Sequence, residues 1–308
     1  MIRQDLIEIE SKHRTYNILA NYNGYVIDTV QVMANVFKFK NRYPTVKILF
    51  PVKIAPIPDI LDRLAPYVDG WDISNVEEFK LIQQYDMLVS LCGPSWDAHD
   101  IYTITSDNLF LVVDGDAQFE IAKDHSFTTF NRVNEYRISK KQSFFGNFRT
   151  DFLNAHIHFS HNSRTVENYN AFLERYNDCE QLNIGGGFHN FDETIQLNNQ
   201  IIYAEPGQIF FENAVYLACD VIERKKGILV LDKSIYCHLG WSNKHKILAD
   251  DPYNNTKSIL IGPTCSSSDY IGQAEYNENK VIFSNIPATC LGLNRSFNGI
   301  PKANITII

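Results

Sequence analysis

Lys53 interrupts an otherwise apolar run, KILFPVKIAP, over residues 47–56. An ammonium in a buried strand is costly unless it is paired or neutralised. Two readings follow: an aliphatic stem lying on apolar surface with its charge in water, or a desolvated chemical lysine that holds a carbonyl compound as a Schiff base. The stretch alone leaves both open. Four further segments carry residues of chemical interest. In AHIHFSH, His156 and His158 share one face if the segment is a strand. Two imidazoles on one face suit a metal, with His161 or an acid completing the set, or a ring stacked on a cofactor, or a hydrogen-bonded core; no HExxH accompanies them. In LNIGGGF, Gly185, Gly186 and Gly187 follow an apolar strand, where bare backbone N–H groups approach an anion closely or simply close a tight turn. Their spacing is not GxGxxG. In IIYAEPGQIFF, Glu205 ends a strand, the position at which barrel enzymes keep their chemistry, although a turn acid capping the next segment would look alike. In ILIGPTCSSSDYIG, Cys265 sits in a Gly-Pro turn as a proton donor, a nucleophile or a packed thiol.

The rest of the composition bounds what these residues can serve. With 28 Lys and Arg against 36 Asp and Glu, the net charge of −8 argues against a phosphate-backbone surface, so nucleic acid is not expected as a partner. The apolar fraction of 44% with 21% charged residues is that of an ordinary globule with ample core. Six scattered cysteines without a CxxC pair point to reduced thiols and a cytoplasmic location. The start, MIRQDLIEIESKHR, lacks an apolar signal region, and no uncharged apolar run is long enough to span a bilayer, so neither export nor a membrane is expected.

The elements that must position these residues alternate. VKILFPV, DMLVSL, NLFLVVD, NAHIHFS and QLNIGGG read as strands, separated by amphipathic segments such as PDILDRLAPYV and RTVENYNAFLERYN. Alternation of this kind predicts βα units and a parallel TIM-type barrel over 26–212. FFENAVYLACDVIERKKG is a helix or a strand entry, and ILVLDKSIYCHL, KSILIGPTC and NKVIFSN then read as strands joined by turns, which predicts a C-terminal antiparallel β-domain over 213–308, with residues 1–25 contributing to it. Roughly 180 residues of α/β sequence are fewer than the ~250 of a usual eight-fold barrel, so an abbreviated one is expected.

The order of motifs resembles the fold-III pyridoxal-phosphate decarboxylases, the ornithine and diaminopimelate decarboxylase group of alanine racemase-like architecture, and most of all their carboxynorspermidine decarboxylase branch. The resemblance runs from about residue 45 to the C-terminus through PVK, GWDISNVEEF, HIHF, NIGGGFH, AEPG, VLDKSIYCH, GPTC with Asp269, and FNGI. It implies a decarboxylase, a lyase whose cofactor is pyridoxal 5'-phosphate. Lys53 would carry that cofactor as a Schiff base, His158 would stack on its ring, and Glu205 would hydrogen-bond the pyridinium nitrogen so that the ring accepts electrons. Gly185 to Gly187 with Gly207 and Gln208 would hold the phosphate. Cys265 would reach in from the partner subunit of a homodimer with shared active sites and return a proton to the substrate carbanion. No metal is implied.

Three departures bear on the substrate. Gln208 stands where most of the ornithine group has an arginine, a change the carboxynorspermidine branch shares. Thr289 replaces a phosphate-binding tyrosine, and Ser266 replaces the acid that takes the distal ammonium of a diamino acid. Asp232, Asp269 and Ser266 remain the candidate substrate contacts. The implied substrate is an amino-acid-like small molecule such as a carboxy-polyamine or another aminocarboxypropyl compound, in polyamine or peptide-nucleotide antibiotic biosynthesis. Three alternatives stay open: a racemase of the same fold, which needs a second catalytic base, a cofactor-binding protein without catalysis, against which the β-domain and Cys265 argue, and a His-based metal hydrolase.

Overall fold

The computed structural model describes residues 14–106, 108–123, 128–133, 153–159, 164–187, 195, 197, 200–240, 242, 245–248, 257–275 and 279–308. His161, named above as a possible ligand, lies outside them. The chain forms two compact units, one of Asn35–Phe210, the other of the described residues of Met1–Ala34 together with those of Phe211–Ile308.

Strand β1 (Gly24–Ile27) belongs to the second unit. In the first, β2 (Lys47–Pro51), β3 (Gly70–Ile73), β4 (Leu88–Cys92), β5 (Leu109–Val113), β6 (Thr128–Val133), β7 (Asn154–Ile157), β8 (Gln181–Asn183) and β9 (Ile201–Ala204) form a closed barrel. Every pairing is parallel, and β2 closes on β9 with Lys47 opposite Tyr203 and Ile48 opposite Ala204. All eight strands are therefore present, and the expected abbreviation falls on the length of the elements and not on their number. The economy lies in short elements: β8 has three residues, and the helices Pro58–Leu64 and Ala98–Thr103 have seven and six. Closure needs strand number and stagger, not long helices.

Side chains alternate across each strand, so one set fills the barrel. Leu49, Phe110, Val112, Phe130 and Tyr203 pack there with Cys92 as a single buried cluster. Phe110 and Tyr203 meet edge to face at 5.0 Å, and Phe110 and Phe130 lie 5.0 Å apart; such aromatic pairs add about 0.5–1.5 kcal/mol beyond their buried area. The same alternation carries the polar residues Asp72 (two after Gly70), His156 (two after Asn154) and Glu205 (two after Tyr203) onto the face of this cluster, with Cys92 at its edge.

The second unit is a sheet built on β10 (Val215–Lys225), β11 (Ile228–Leu231), β12 (Lys246–Ile247), β13 (Lys257–Ile261), β14 (Tyr270–Glu275), β15 (Lys280–Ser284) and β16 (Ile305–Ile307). The segment left open as helix or strand is thus the eleven-residue strand β10. It pairs antiparallel with β1, β11 and β15, while β1–β16 and β11–β13 are parallel, so the sheet is mostly but not wholly antiparallel. Because β1 bonds to β10 and β16, residues 26–34 go with this sheet, and the barrel unit begins at Asn35, not at 26. ILVLDKSIYCHL is not one strand: β11 ends at Leu231, and Ser234 Oγ accepts from Tyr236 N to cap the helical turn Ile235–His238.

Candidate active site

Strand β2 stops at Pro51, one residue earlier than an apolar run to Val52 suggests, and Lys53 sits in the 3-10 turn Val52–Ile54. Its side chain is 48% exposed, so it is not a buried strand lysine, yet it is enclosed closely enough to feel acids around it. Nζ lies 3.6 Å from Asp72 Oδ2 and donates to Ser74 Oγ at 3.4 Å. Ser74 is held by the helix that follows. Asn75 Oδ1 accepts from Glu78 N, and Glu78 Oε2 accepts from Ser74 N at 2.8 Å, a reciprocal cap that starts Val76–Ile82.

Asp72 is buried, and neither carboxylate oxygen has a well-aligned hydrogen bond, although Ser90 acts on it weakly. Burial, then the charge of Glu205, pushes its carboxyl well above the ordinary range, against the pull of Lys53. Burial works against the Lys53 ammonium, but Asp72 and more distant acids outweigh it and raise its pKa. The buried Cys92 thiol is likewise pushed up, by burial and then by Asp72 and Glu205.

Glu205 stands in the middle of this set. Burial alone would raise its pKa, but His156 and His158 outweigh that and hold it well below the usual carboxylate value. His156 Nε2 is 3.2 Å from Glu205 Oε1, and His158 Nδ1 is 3.7 Å from Oε2. The first contact is close but lacks hydrogen-bond alignment. His158 Nδ1 accepts from Gly186 N at 3.4 Å, which fits an imidazole kept neutral by burial. The two histidines converge on one carboxylate, not on a shared metal position. Among the described residues, Cys92, His156 and Glu205 are the group whose ligand atoms all lie within 4.8 Å of one another.

The glycines are required sterically. Gly185 has φ +64°, and a side chain on it would strike the Ile157 carbonyl. A Cβ on Gly186 would stand 2.7 Å from Glu205 O, so the glycine turn lies against the end of β9. Gly207 similarly passes under Pro51 and Ile54, 2.9 and 2.6 Å from where its Cβ would be. Gln208 opens the next 3-10 turn, its Oε1 buried without a hydrogen bond. Lys53, His158, Glu205, Gly185, Gly186, Gly187, Gly207 and Gln208 thus gather in one unit.

Cys265, Ser266, Asp269 and Asp232 belong to the other unit. Cys265 is a free, exposed thiol in the loop between β13 and β14. Ser266 Oγ lies 2.8 Å from Tyr236 OH. Asp269 is no free ammonium partner: its buried carboxylate accepts from Ser234 Oγ, Ile235 N, Thr264 N and Thr264 Oγ1 at 2.7–3.2 Å. It ties the cysteine loop to the turn after β11. Asp232 is engaged too, by Lys233 Nζ, Asn23 Nδ2 and Asp220 N at 2.5, 2.7 and 2.8 Å. Asp269 is buried and Asp232 partly buried, and carboxylates removed from water recruit the donors in reach. Sequence reading gave no role to Asp72, Ser74, Cys92 or Asn183. The signal for Asp72 was available: an acid inside GWDI, in register with Gly70 on the inner face.

An accessible amine, an ionised carboxylate for a ring nitrogen, a neutral imidazole and a turn free of Cβ atoms for a phosphate fit one cofactor, pyridoxal phosphate, on a barrel-plus-sheet decarboxylase frame. The chain matches the family described as pyridoxal-dependent decarboxylase, C-terminal sheet domain, over residues 24–281, and it belongs to that family. Its cofactor is accordingly pyridoxal 5'-phosphate and its reaction a decarboxylation, which displaces the metal-hydrolase reading. No curated protein matches the chain in sequence. Solved structures share the fold. The arginine decarboxylase of Paramecium bursaria Chlorella virus bound to agmatine superposes with a TM-score of 0.78 at 19% identity, covering 96% of this chain and 100% of that one. Carboxynorspermidine decarboxylase with norspermidine from Campylobacter jejuni gives 0.74 at 18%, covering 93% and 94%. A point mutant of diaminopimelate decarboxylase from Helicobacter pylori, complexed with L-lysine, gives 0.76 at 16%, covering 93% and 91%.

Proposed function

We propose that this decarboxylase acts on the amino-acid end of a larger amine, an aminocarboxypropyl group carried on a polyamine or a similar chain, with the site residues in the roles that follow. The convergence of Lys53, Asp72, His158 and the glycine turn around Glu205 carries the assignment of roles. Pyridoxal phosphate, when bound, supplies the electron sink for the pair released as carbon dioxide departs. Lys53 holds the cofactor covalently through Nζ, and Asp72, whose raised pKa suits a proton carrier, takes and returns the proton at that atom. Glu205 stays ionised and keeps a proton on the ring nitrogen. Neutral His158 offers a ring face without adding charge. Backbone N–H groups of Gly185 to Gly187 and the turn at Gly207 and Gln208 bind phosphate, and Cys265, from the partner subunit of a homodimer, returns the final proton.

The substrate class rests on Ser266 and Asp269. An uncharged serine follows the cysteine, and the nearby Asp269 already accepts four hydrogen bonds, so this loop offers a short diamino acid little to hold its distal ammonium. The similarity to the carboxynorspermidine branch in motif order points the same way, to polyamine synthesis. Six free cysteines support a reducing, cytoplasmic setting, and among the described residues no helix is long and apolar enough to cross a membrane.

Carbon dioxide release from a carboxy-polyamine panel, against arginine, ornithine, lysine and diaminopimelate, tests the substrate class; turnover of a short diamino acid with none of the carboxy-polyamines overturns it. Mixing Lys53→Ala and Cys265→Ala subunits tests the shared site, since activity reappears only if each site draws on two chains.

A further inference from the structure

Asn183, the last residue of β8, is buried and bonded at both ends of its amide. Nδ2 donates to Glu205 Oε1 at 2.9 Å, and Oδ1 accepts from Gly185 N at 2.9 Å. One side chain therefore joins the carboxylate that serves the cofactor ring to the first glycine of the turn that serves its phosphate. The backbone repeats the link, because Glu205 N donates to Gly185 O at 2.8 Å. The rest of the turn is pinned as well: Gly186 N donates to His158, and Tyr169 OH donates to Gly186 O at 3.0 Å. Of these ties, Asn183 makes the close hydrogen bond to the Glu205 carboxylate, at 2.9 Å, while His158 Nδ1 stands at 3.7 Å from its other oxygen. An amide is the one short side chain that can donate to an ionised carboxylate and accept from an N–H within the same plane. Aspartate would repel Glu205, and a hydroxyl would reach one partner.

We propose that Asn183 is a positioning residue that couples the two ends of the cofactor site, orienting the Glu205 carboxylate for the ring nitrogen while setting the Gly185 turn for the phosphate. This inference rests on the reading of Glu205 and the glycine turn given above.

The test measures equilibrium affinity of the full chain, stripped of cofactor, for pyridoxal phosphate, pyridoxal and inorganic phosphate, in wild type, Asn183→Ala, Glu205→Gln and the double variant. Loss of a hydrogen bond to a charged group predicts that Asn183→Ala weakens pyridoxal about tenfold and inorganic phosphate by a smaller factor. In the Glu205→Gln background the further loss of pyridoxal affinity should shrink to about twofold or less. A loss confined to inorganic phosphate, or a pyridoxal loss that persists in full beside Glu205→Gln, overturns the coupling. Where Asn183→Ala does not fold, Asn183→Asp decides: it keeps the acceptor for Gly185 N but opposes Glu205, so pyridoxal affinity must fall more than phosphate affinity, and equal falls reject the proposal. Unchanged pyridoxal affinity in Glu205→Gln alone would instead refute the underlying reading of the site.

Discussion

The barrel unit and the sheet unit differ in how fully their polar groups are bonded, although the barrel too holds a buried ion pair, Arg132 Nη1 to Asp114 Oδ2 at 2.8 Å. In the sheet unit Asp269 collects four donors, and Asn23, Asp220, Asp232, Lys233 and Lys280 form a chain of mutually satisfied groups. In the barrel unit Asp72, both His156 nitrogens, Ser90 Oγ and Gln208 Oε1 lack a well-aligned hydrogen bond, although Ser90 acts on Asp72 and His156 Nε2 stands 3.2 Å from Glu205. Among the described residues, every buried side-chain polar atom without a bond falls in the barrel unit. Leaving such groups unsatisfied costs about 1–3 kcal/mol each, a cost that a purely structural barrel would have lost through substitution by apolar residues. Asp269 holds a loop in place, and the proposed function gives the barrel's under-bonded groups a ligand and a proton to meet.

The contrast can be broken most directly at Lys53. Lys53→Ala should remove the visible absorbance of the bound cofactor and lower kcat by at least about 1,000-fold, read by spectrum and turnover; retained absorbance in the variant, or an unmodified Lys53 peptide from borohydride-treated wild type, would end the assignment. Glu205→Gln should cost about 10²–10³ in kcat/KM, as removal of one preorganised charge does elsewhere, with the fold intact by circular dichroism.

The third prediction sets the two aspartates against each other. Asp269→Asn puts an amide N–H₂ against two of the four donors, whichever oxygen it replaces, and should lower stability by about 1–3 kcal/mol in urea unfolding. Asp72→Asn should leave stability equal or higher while lowering activity, the trade expected of a functional group. Its sign with pH follows from the raised pKa of Asp72. The folded state binds the proton more tightly than the unfolded chain, so Asp72 lowers stability as pH rises above the ordinary carboxylate value of ~3.9. The gain from Asp72→Asn should therefore grow with pH from there. Glu205 behaves oppositely: its lowered pKa contributes stability above ~4.3 that is lost as pH falls through the folded value. Removing Asp72 also takes away what raises the Lys53 pKa, so cofactor loading should extend to lower pH.

The smallest effect is local. Asn75→Ala removes the cap that keeps Ser74 near Lys53, with a loss of about 1 kcal/mol in stability and a less than tenfold change in cofactor affinity, measured by absorbance titration.

Much of the frame is written locally. Alternation of apolar strands with amphipathic helices forecasts the barrel, and motif order forecasts the cofactor, because both depend on residues near one another in the chain. What stayed hidden depended on register and on neighbours far apart in the chain. Asp72 and Cys92 come to the mouth through the pairing of β3 with β4, where Asp72 stands opposite Ser90. Asp269 and Asp232 looked like free acids until Ser234, Thr264, Asn23 and Lys233 closed on them.

Lys53 shows the same division in a single residue. Its type, its apolar flanks and its place ahead of His158, the glycine turn and Glu205 were legible from the chain alone, since covalent order and hydrophobic periodicity need no fold to be read. That its strand ends at Pro51, that its amine stands half exposed, and that Asp72 rather than any neighbour in sequence sets its proton affinity came from the closed barrel. The reason is physical: electrostatic coupling depends on distance and burial in space, and residues 53 and 72 approach only when two parallel strands pair.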